Sequence, residues 1–257
     1  MTVTLIQTDI VWGRPDINRK AAQKAMLSAD KSDLYVLPEM WDTGVTTQPQ
    51  GVAEEEGGET LMWMQEMAQR LDAAVAGSIA IHLQDGTYRN RLYFVMPQET
   101  VNCQSSNCKW YDKHHLFSYG GETESYTPGS EQVTVEWRGI RFRLSICYDL
   151  RFPLWLRNKD DYHVLICVAS WPAVRRHAWD ILLQARAIEN QCYVLGVNRI
   201  GKDPFCEYNG GTAIVNPFGM ATFCHDGKAF VLTHTLDMKR LGTFRQKFPV
   251  LKEIDTK

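Results

Sequence analysis

The chain has 257 residues, 44% of them hydrophobic and 23% charged, with a formal net charge of −2. That length accommodates one large α/β domain or two small ones, and the composition is ordinary for a soluble globular protein. The near-neutral balance excludes a global basic field for nucleic acid, and no apolar run reaches the ~20 residues of a membrane span.

Val3 to Gln7 reads as a strand and lacks the charged start and long apolar centre of a leader. A helix is predicted over Asp16 to Ser28, capped by Asp16, with Ile17, Ala21, Ala25 and Ser28 on one face. Leu34 to Leu37 is a strand that stops at Pro38-Glu39. The acidic run Glu54-Glu55-Glu56, followed by Gly57-Gly58, reads as a solvated loop. Thr60 to Asp72 carries Leu61, Met64, Met67, Ala68 and Leu71 at helical spacing. Strands follow from Ala74 to His82 and from Arg91 to Met96, with a turn at Asp85-Gly86 between them. Cys108 to Tyr111 leads into Asp112-Lys113-His114-His115. Ser118 to Gly129 is punctuated by Gly and Pro and is expected to be a loop.

Val133 to Trp137 and Ile140 to Ile146 form a hairpin over Arg138-Gly139. In its second arm Ile140, Phe142, Leu144 and Ile146 alternate with Arg141, Arg143 and Ser145. A short helix is predicted from Phe152 to Arg157, so Cys147 stands at the corner between strand and helix. His163 to Ala169 is almost continuously apolar, as expected of a strand buried on both faces. Then come a helix from His177 to Asn190 and a second buried strand from Tyr193 to Asn198. Strands over Gly211 to Asn216, Ala221 to Cys224 and Ala229 to Thr235 follow, and a last helix from Asp237 to Phe248 stops at Pro249. With no repeat or linker, residues 1–257 read as one α/β domain of mixed pairing that ends in a helix and tail over 237–257.

Three polar residues sit just beyond apolar strands: Glu39, Lys113 and Cys147. In open α/β sheets functional groups gather beyond the carboxyl ends of strands. The set is chemically coherent. A thiolate attacks a carbonyl, a carboxylate takes and returns protons, and an ammonium stabilises the oxyanion and lowers the thiol pKa, aided by amides at a helix start. Taken singly, Glu39 is also a loop cap, Lys113 a surface cation and Cys147 a strand-end thiol. Cys103 and Cys108, followed by His114 and His115, are too loosely spaced for zinc, so no metal is expected. Of the seven cysteines, Cys167 and Cys192 lie in apolar runs as core thiols, which fits a reduced, cytoplasmic setting. Arg175-Arg176-His177, after Ser170-Trp171-Pro172, reads equally as a solvated helix start or as a site wall in which Trp171 covers a substrate and an arginine meets its carboxylate.

Leu37-Pro38-Glu39-Met40, Tyr111 to Phe117 and Cys147 to Pro153 resemble, in order and separation, the three signature blocks of the nitrilase superfamily of carbon–nitrogen hydrolases. The resemblance runs from Gln7 to Arg245-Gln246-Lys247-Phe248-Pro249. It implies a four-layer α-β-β-α sandwich that forms homodimers or higher homo-oligomers through its outer helices. It assigns the base to Glu39, the lysine to Lys113 and the nucleophile to Cys147. A further active-site glutamate falls on Glu122, with Glu124 two residues away as the alternative, and the N–H of Tyr148 helps hold the oxyanion. Arg151, Arg175, Arg176 and Trp171 are the substrate-binding candidates, Arg151 also being used in the family to hold the structure around the nucleophile, and His115 is structural. Tyr148 to Pro153, Ala187 to Gln191 and Lys247 to Pro249 most resemble bacterial ω-amidases. The implied activity is removal of the terminal amide of a small 2-oxo dicarboxylic monoamide, without a cofactor. Alternatives on the same fold are an amidase of the deaminated-glutathione kind, a nitrilase, a carbamoylase, or an inactive binding protein.

Overall fold

The computed structural model describes residues 1–98, 107–224 and 226–253. In chain order the first half supplies β1 (Thr2–Gln7), helix α1 (Pro15–Ser28), β2 (Leu34–Val36), β3 (Glu54–Glu55) and helix α2 (Glu59–Leu71). It continues with β4 (Ala74–His82), β5 (Tyr88–Val95) and β6 (Cys108–Asp112). The second half supplies β7 (Thr134–Trp137), β8 (Ile140–Ile146), β9 (Val164–Ala169), helix α3 (Arg176–Glu189) and β10 (Tyr193–Asn198). The ribbon β11 (Ile200–Lys202) and β12 (Glu207–Asn209), then β13 (Ala213–Val215) and β14 (Ala221–Phe223), follow. Finally β15 (Phe230–Thr235) and helix α4 (Met238–Lys247) close the chain.

These strands build two large sheets. One runs β15-β1-β2-β4-β5-β6 with β3 on β4, and the other runs β14-β13-β10-β9-β8-β7. The centres β1-β2-β4 and β8-β9-β10 are parallel, which is why Val164–Ala169 and Tyr193–Asn198 are apolar without alternation. Period-two residues face one sheet toward the other: Leu92 and Phe94 meet Phe142, Leu144 and Ile146, with Phe94 and Phe142 ring centroids 5.5 Å apart. The outer face of the first sheet packs under Ala22 and Met26 of α1 and Met64, Met67 and Ala68 of α2. The outer face of the second packs under Trp179, Leu183 and Ala187 of α3. The result is the expected four layers, α-β-β-α. α3 lies close because β10 carries Gly196, where a Cβ would stand 2.6 Å from Leu183. Among the described residues no helix is long and apolar enough to cross a membrane.

Several local expectations are corrected. Arg14, not Asp16, is the N-cap residue of α1, and Asp16 lies in the first turn paired with Arg14. The buried face of that helix is Asn18, Arg19, Ala22 and Met26, whereas Ile17 is exposed. Asn18 is buried because its amide holds Val11 and Asp42 backbone groups, and Arg19 because it bonds Thr60 and pairs with Glu54 and Glu59. The acidic run is not simply solvated. Glu54 and Glu55 form β3, Glu54 accepts the Thr60 N–H at the start of α2, and Glu56 pairs with Arg91. No helix forms at Phe152 to Arg157; instead a 3₁₀ turn begins on the nucleophile candidate itself, over Cys147–Arg151. The loop over Ser118 to Gly129 contains two short 3₁₀ turns, and the β11–β12 ribbon was not anticipated. Cys103 lies outside the described residues.

Asp42 is fully buried, and the single Thr60 hydroxyl proton faces both Asp42 and Glu54. Burial first, then the charge of Glu54, pushes the Asp42 carboxyl up to about 7. A carboxyl raised in the fold binds its proton more tightly there than in the unfolded chain. Its contribution to stability is therefore lost as pH rises from about 4, its ordinary value, through about 7. Asp42→Asn, which mimics the protonated form, should gain stability relative to wild type at pH 8 more than at pH 5, as read by urea unfolding at the two pH values.

Candidate active site

The carboxyl ends of β2, β6, β8 and β9 open onto the same end of the sandwich. Leu37-Pro38 carries the chain out of β2, so that Glu39 follows at once, and Met40 takes a left-handed φ of 41°. Glu39 is 1% exposed. Its Oε1 accepts from Lys113 Nζ at 2.9 Å and from Asn90 Nδ2 at 2.8 Å, and its Oε2 accepts the Ser170 N–H at 2.8 Å, just past β9. Lys113 is the first residue after β6. Its N–H donates to Asn90 O and its carbonyl accepts from Gly129 N–H, both at 2.9 Å. Gly129 is required there, since a Cβ would stand 2.3 Å from Asp112 O.

Glu122 completes the cluster. Its two oxygens accept from Lys113 Nζ at 3.0 and 2.8 Å, and Oε2 also accepts the Phe117 N–H at 2.7 Å. Glu124, two residues on, is exposed, and of the two it is Glu122 that meets Lys113. Burial disfavours the Lys113 ammonium, but the carboxylates of Glu122 and Glu39 outweigh it and hold the pKa well above the ordinary lysine value. The lysine is a fixed cation between two anions.

Cys147 ends β8 with a left-handed φ of 46°, a conformation that non-glycine residues adopt only when surroundings enforce it. Asp149 provides the enforcement. Its Oδ2 accepts the Ile146 N–H at 3.0 Å and the Tyr111 hydroxyl at 2.7 Å, and its Oδ1 accepts from His115 N and Nδ1, both at 2.9 Å. One buried carboxylate thus ties the cysteine turn to the lysine loop. His115 stacks on Phe152 with centroids 3.6 Å apart, and His114 stacks on Trp155 at 3.7 Å. These contacts account for both histidines. Among the described residues no group of three or more His, Cys, Asp and Glu is placed to hold a metal ion. The thiol departs from expectation. Burial, then the nearby Glu39 charge, pushes its pKa well above the ordinary cysteine value, and Lys113 pulls down by less. The resting group is a neutral thiol.

These residues line a cavity of about 180 Å³. Glu39, Lys113, Glu122, Cys147 and Ser170 contribute its polar part, and Phe117, Tyr148 and Trp171 its aromatic walls. The β11–β12 ribbon adds Phe205, Cys206 and Tyr208. Arg151 lies over the Trp171 ring at 5.0 Å and Arg175 over the Phe117 ring at 5.2 Å, and both line the cavity. Neither has a carboxylate partner among the described residues. Arg176 is different: it is absent from the lining, and Asp180 and Asp226 each hold its guanidinium at 2.7 Å. It is therefore removed from the candidate substrate contacts, because its charge is already matched.

With this geometry in view, the chain matches the carbon–nitrogen hydrolase family model over residues 2–246. The chain belongs to the carbon–nitrogen hydrolases. It is 38% identical to omega-amidase YafV of Yersinia enterocolitica, over 99% of this chain and 97% of that protein. It is 32% identical to a 2-oxoglutaramate amidase of Bacillus subtilis, over 98% and 97% respectively. Among solved structures, XC1258 of Xanthomonas campestris, a CN-hydrolase superfamily protein with an arsenic adduct in its active site, superposes with a TM-score of 0.93. That protein is 34% identical, with 100% of this chain and 98% of that one covered. The four-layer sandwich is thus the carbon–nitrogen hydrolase fold.

Sequence reasoning about this hydrolase missed Asn90 and Asp149. Asn90 carried a signal: by period two it shares a face with Leu92 and Phe94, where a polar residue has no packing reason to be. Asp149 carried none, since all its partners except Ile146 lie on the distant lysine loop. Tyr111→Phe would remove the hydroxyl that donates to Asp149 and accepts from His114 N and Trp155 Nε1. We expect it to lower stability by about 1–3 kcal/mol in chemical denaturation.

Proposed function

We propose that this carbon–nitrogen hydrolase cleaves the terminal amide of small 2-oxo dicarboxylic monoamides of the 2-oxoglutaramate kind, releasing ammonia through a thioester on Cys147. The observation that carries this reading is the pairing of two elements in one cavity. A Glu39–Lys113–Cys147 cluster lies in its polar part, and two arginines without carboxylate partners lie on its walls. The relatives named omega-amidase and 2-oxoglutaramate amidase support the same substrate class.

In this reading Glu39 accepts the Cys147 proton as Sγ adds to the amide carbon. A base is needed because the thiol is neutral at rest. The tetrahedral oxyanion is held by the Lys113 ammonium and by the N–H of Tyr148, which lies in the first turn of a 3₁₀ segment where intrahelical acceptors are lacking. Collapse breaks the C–N bond, and the leaving nitrogen takes the proton from Glu39 as ammonia. Glu39 next deprotonates a water that adds to the thioester carbonyl. The C–S bond breaks, the thiolate regains the proton, and the acid leaves. Glu122 holds Lys113 in place throughout.

Arg151 and Arg175 have their guanidinium faces on aromatic rings, which leaves their N–H edges for a carboxylate. The 2-oxo acid end of the substrate is assigned to them.

Cys147→Ala should abolish ammonia release from 2-oxoglutaramate while keeping the wild-type circular dichroism and melting temperature. Intact-mass analysis should trap an acyl adduct on wild type alone. Turnover by the variant at the wild-type rate would discard the mechanism. The substrate assignment has its own check. The methyl ester of 2-oxoglutaramate, and a plain aliphatic amide of equal length, should lose at least about tenfold in kcat/KM, the consequence of removing a charge-assisted hydrogen bond. Equal values for all three would leave a general amidase.

A further inference from the structure

Glu39 and Glu122 place two carboxylates around one ammonium, so a buried site carries more negative than positive charge. The excess charge is stabilised in addition by a neutral hydrogen-bond donor. Asn90 Nδ2 donates to Glu39 Oε1 at 2.8 Å and to Glu122 Oε1 at 3.3 Å, the same two oxygens that Lys113 Nζ holds at 2.9 and 3.0 Å. Asn90 and Lys113 are therefore parallel bridges across the carboxylate pair. The orientation of the amide is dictated by chemistry, because its carbonyl turned toward two carboxylates would repel both. Asn90 is 1% exposed, and its Oδ1 is buried with no hydrogen-bond partner among the described residues. An orphaned buried carbonyl is costly and is retained only where something else requires the group. Packing does not require it, since Leu92 and Phe94 on the same face belong to the inter-sheet core.

We infer that Asn90 is a positioning residue for the base: by holding Oε1 of Glu39 it fixes that carboxylate and leaves Oε2, the oxygen beside Ser170 N–H, to take the thiol proton. A hydrogen bond donated to the charged form of a carboxylate favours that form. Without the amide, Glu39 keeps Lys113 and Ser170 N–H, but Lys113 is then the one bridge between two like charges. The inference rests on Glu39 acting as the base in the proposed reaction.

The test uses Asn90→Leu, which extends the apolar face, and Asn90→Ala, which leaves space. What the two variants share is the lost amide. Ammonia release from 2-oxoglutaramate is measured against pH. In parallel, alkylation of Cys147 by iodoacetamide is followed against pH by peptide mass, which needs no substrate. Both variants should fold, keeping the wild-type circular dichroism at the assay temperature, with melting temperatures below wild type because buried carboxylates lose a donor. Both should lose about tenfold or more in kcat with little change in KM. In both, the acid limb of kcat/KM and of alkylation should move up by about one pH unit, the shift that a lost hydrogen bond of about 1.5 kcal/mol to the carboxylate produces. A folded variant with lower kcat and an unmoved acid limb would overturn the inference, as would a change confined to KM. Wild type that releases no ammonia from any amide would instead reject the proposed reaction, and the alkylation profiles would still decide the role of Asn90.

Discussion

The structure depends on the Lys113 ammonium, buried between the carboxylates of Glu39 and Glu122. Bringing these groups out of water is costly, and their attraction offsets the cost only if every oxygen and proton finds a partner. That requirement is met from all sides. Ser170 N–H, Phe117 N–H and the Asn90 amide supply the remaining donors, each from a different segment. The two sheets must therefore end at the same level, with β2, β6 and β9 delivering their residues to one point. Removing either carboxylate would leave the other charges unmatched, so the cluster acts as one unit.

The cysteine is built on a different principle. Its backbone is held in a left-handed turn by Asp149, whose partners span the lysine loop and the strand before the nucleophile. Its thiol is kept neutral by burial and by the charge of Glu39. A neutral thiol reacts slowly with bystander electrophiles and oxidants, because the thiolate is the reactive form. The same carboxylate that disfavours the free thiolate is the one that takes its proton in the proposed reaction, with Lys113 beside it as the cation for the oxyanion.

The walls differ in character from the polar cluster. Aromatic rings support two guanidinium groups by stacking, and the β11–β12 ribbon, beside the turn that carries Arg175, adds Phe205 and Tyr208 to the lining. The ribbon is anchored by Arg199, which is fully buried, lies 4.5 Å from the Tyr208 ring and donates to the Ile10 and Ile200 carbonyls. The reactive cluster and the walls share supports: Phe117 gives its N–H to Glu122 and its ring to Arg175, and Asn198, next to Arg199, holds Trp171 beside the Ser170 N–H that meets Glu39.

Much of this was legible in the amino-acid sequence. Local periodicity placed the strands, and the continuous apolar runs of Val164–Ala169 and Tyr193–Asn198 marked the buried parallel centre. Glu39, Lys113 and Cys147 were recognisable because each directly follows a strand within a distinctive block. What the sequence could not decide is carried by contacts between distant positions. Lys113 and Glu39 are 74 residues apart, Asn90 and Glu39 51, and Ser170 and Glu39 131. The choice of Glu122 over Glu124 depended on which side chain the 3₁₀ turn aims at Lys113, and the exclusion of Arg176 on Asp226 lying across from it. The buried face of α1 was misread because Asn18 and Arg19 are buried to tie loops, not to fill a core. Apolar periodicity is a property of neighbours along the chain, whereas a hydrogen bond between buried polar groups exists only once the two sheets have met. The sequence by itself therefore determined the strands and the candidate groups at their ends, and the tertiary structure alone decided which of these groups meet, their partners and the shape of the cavity they face.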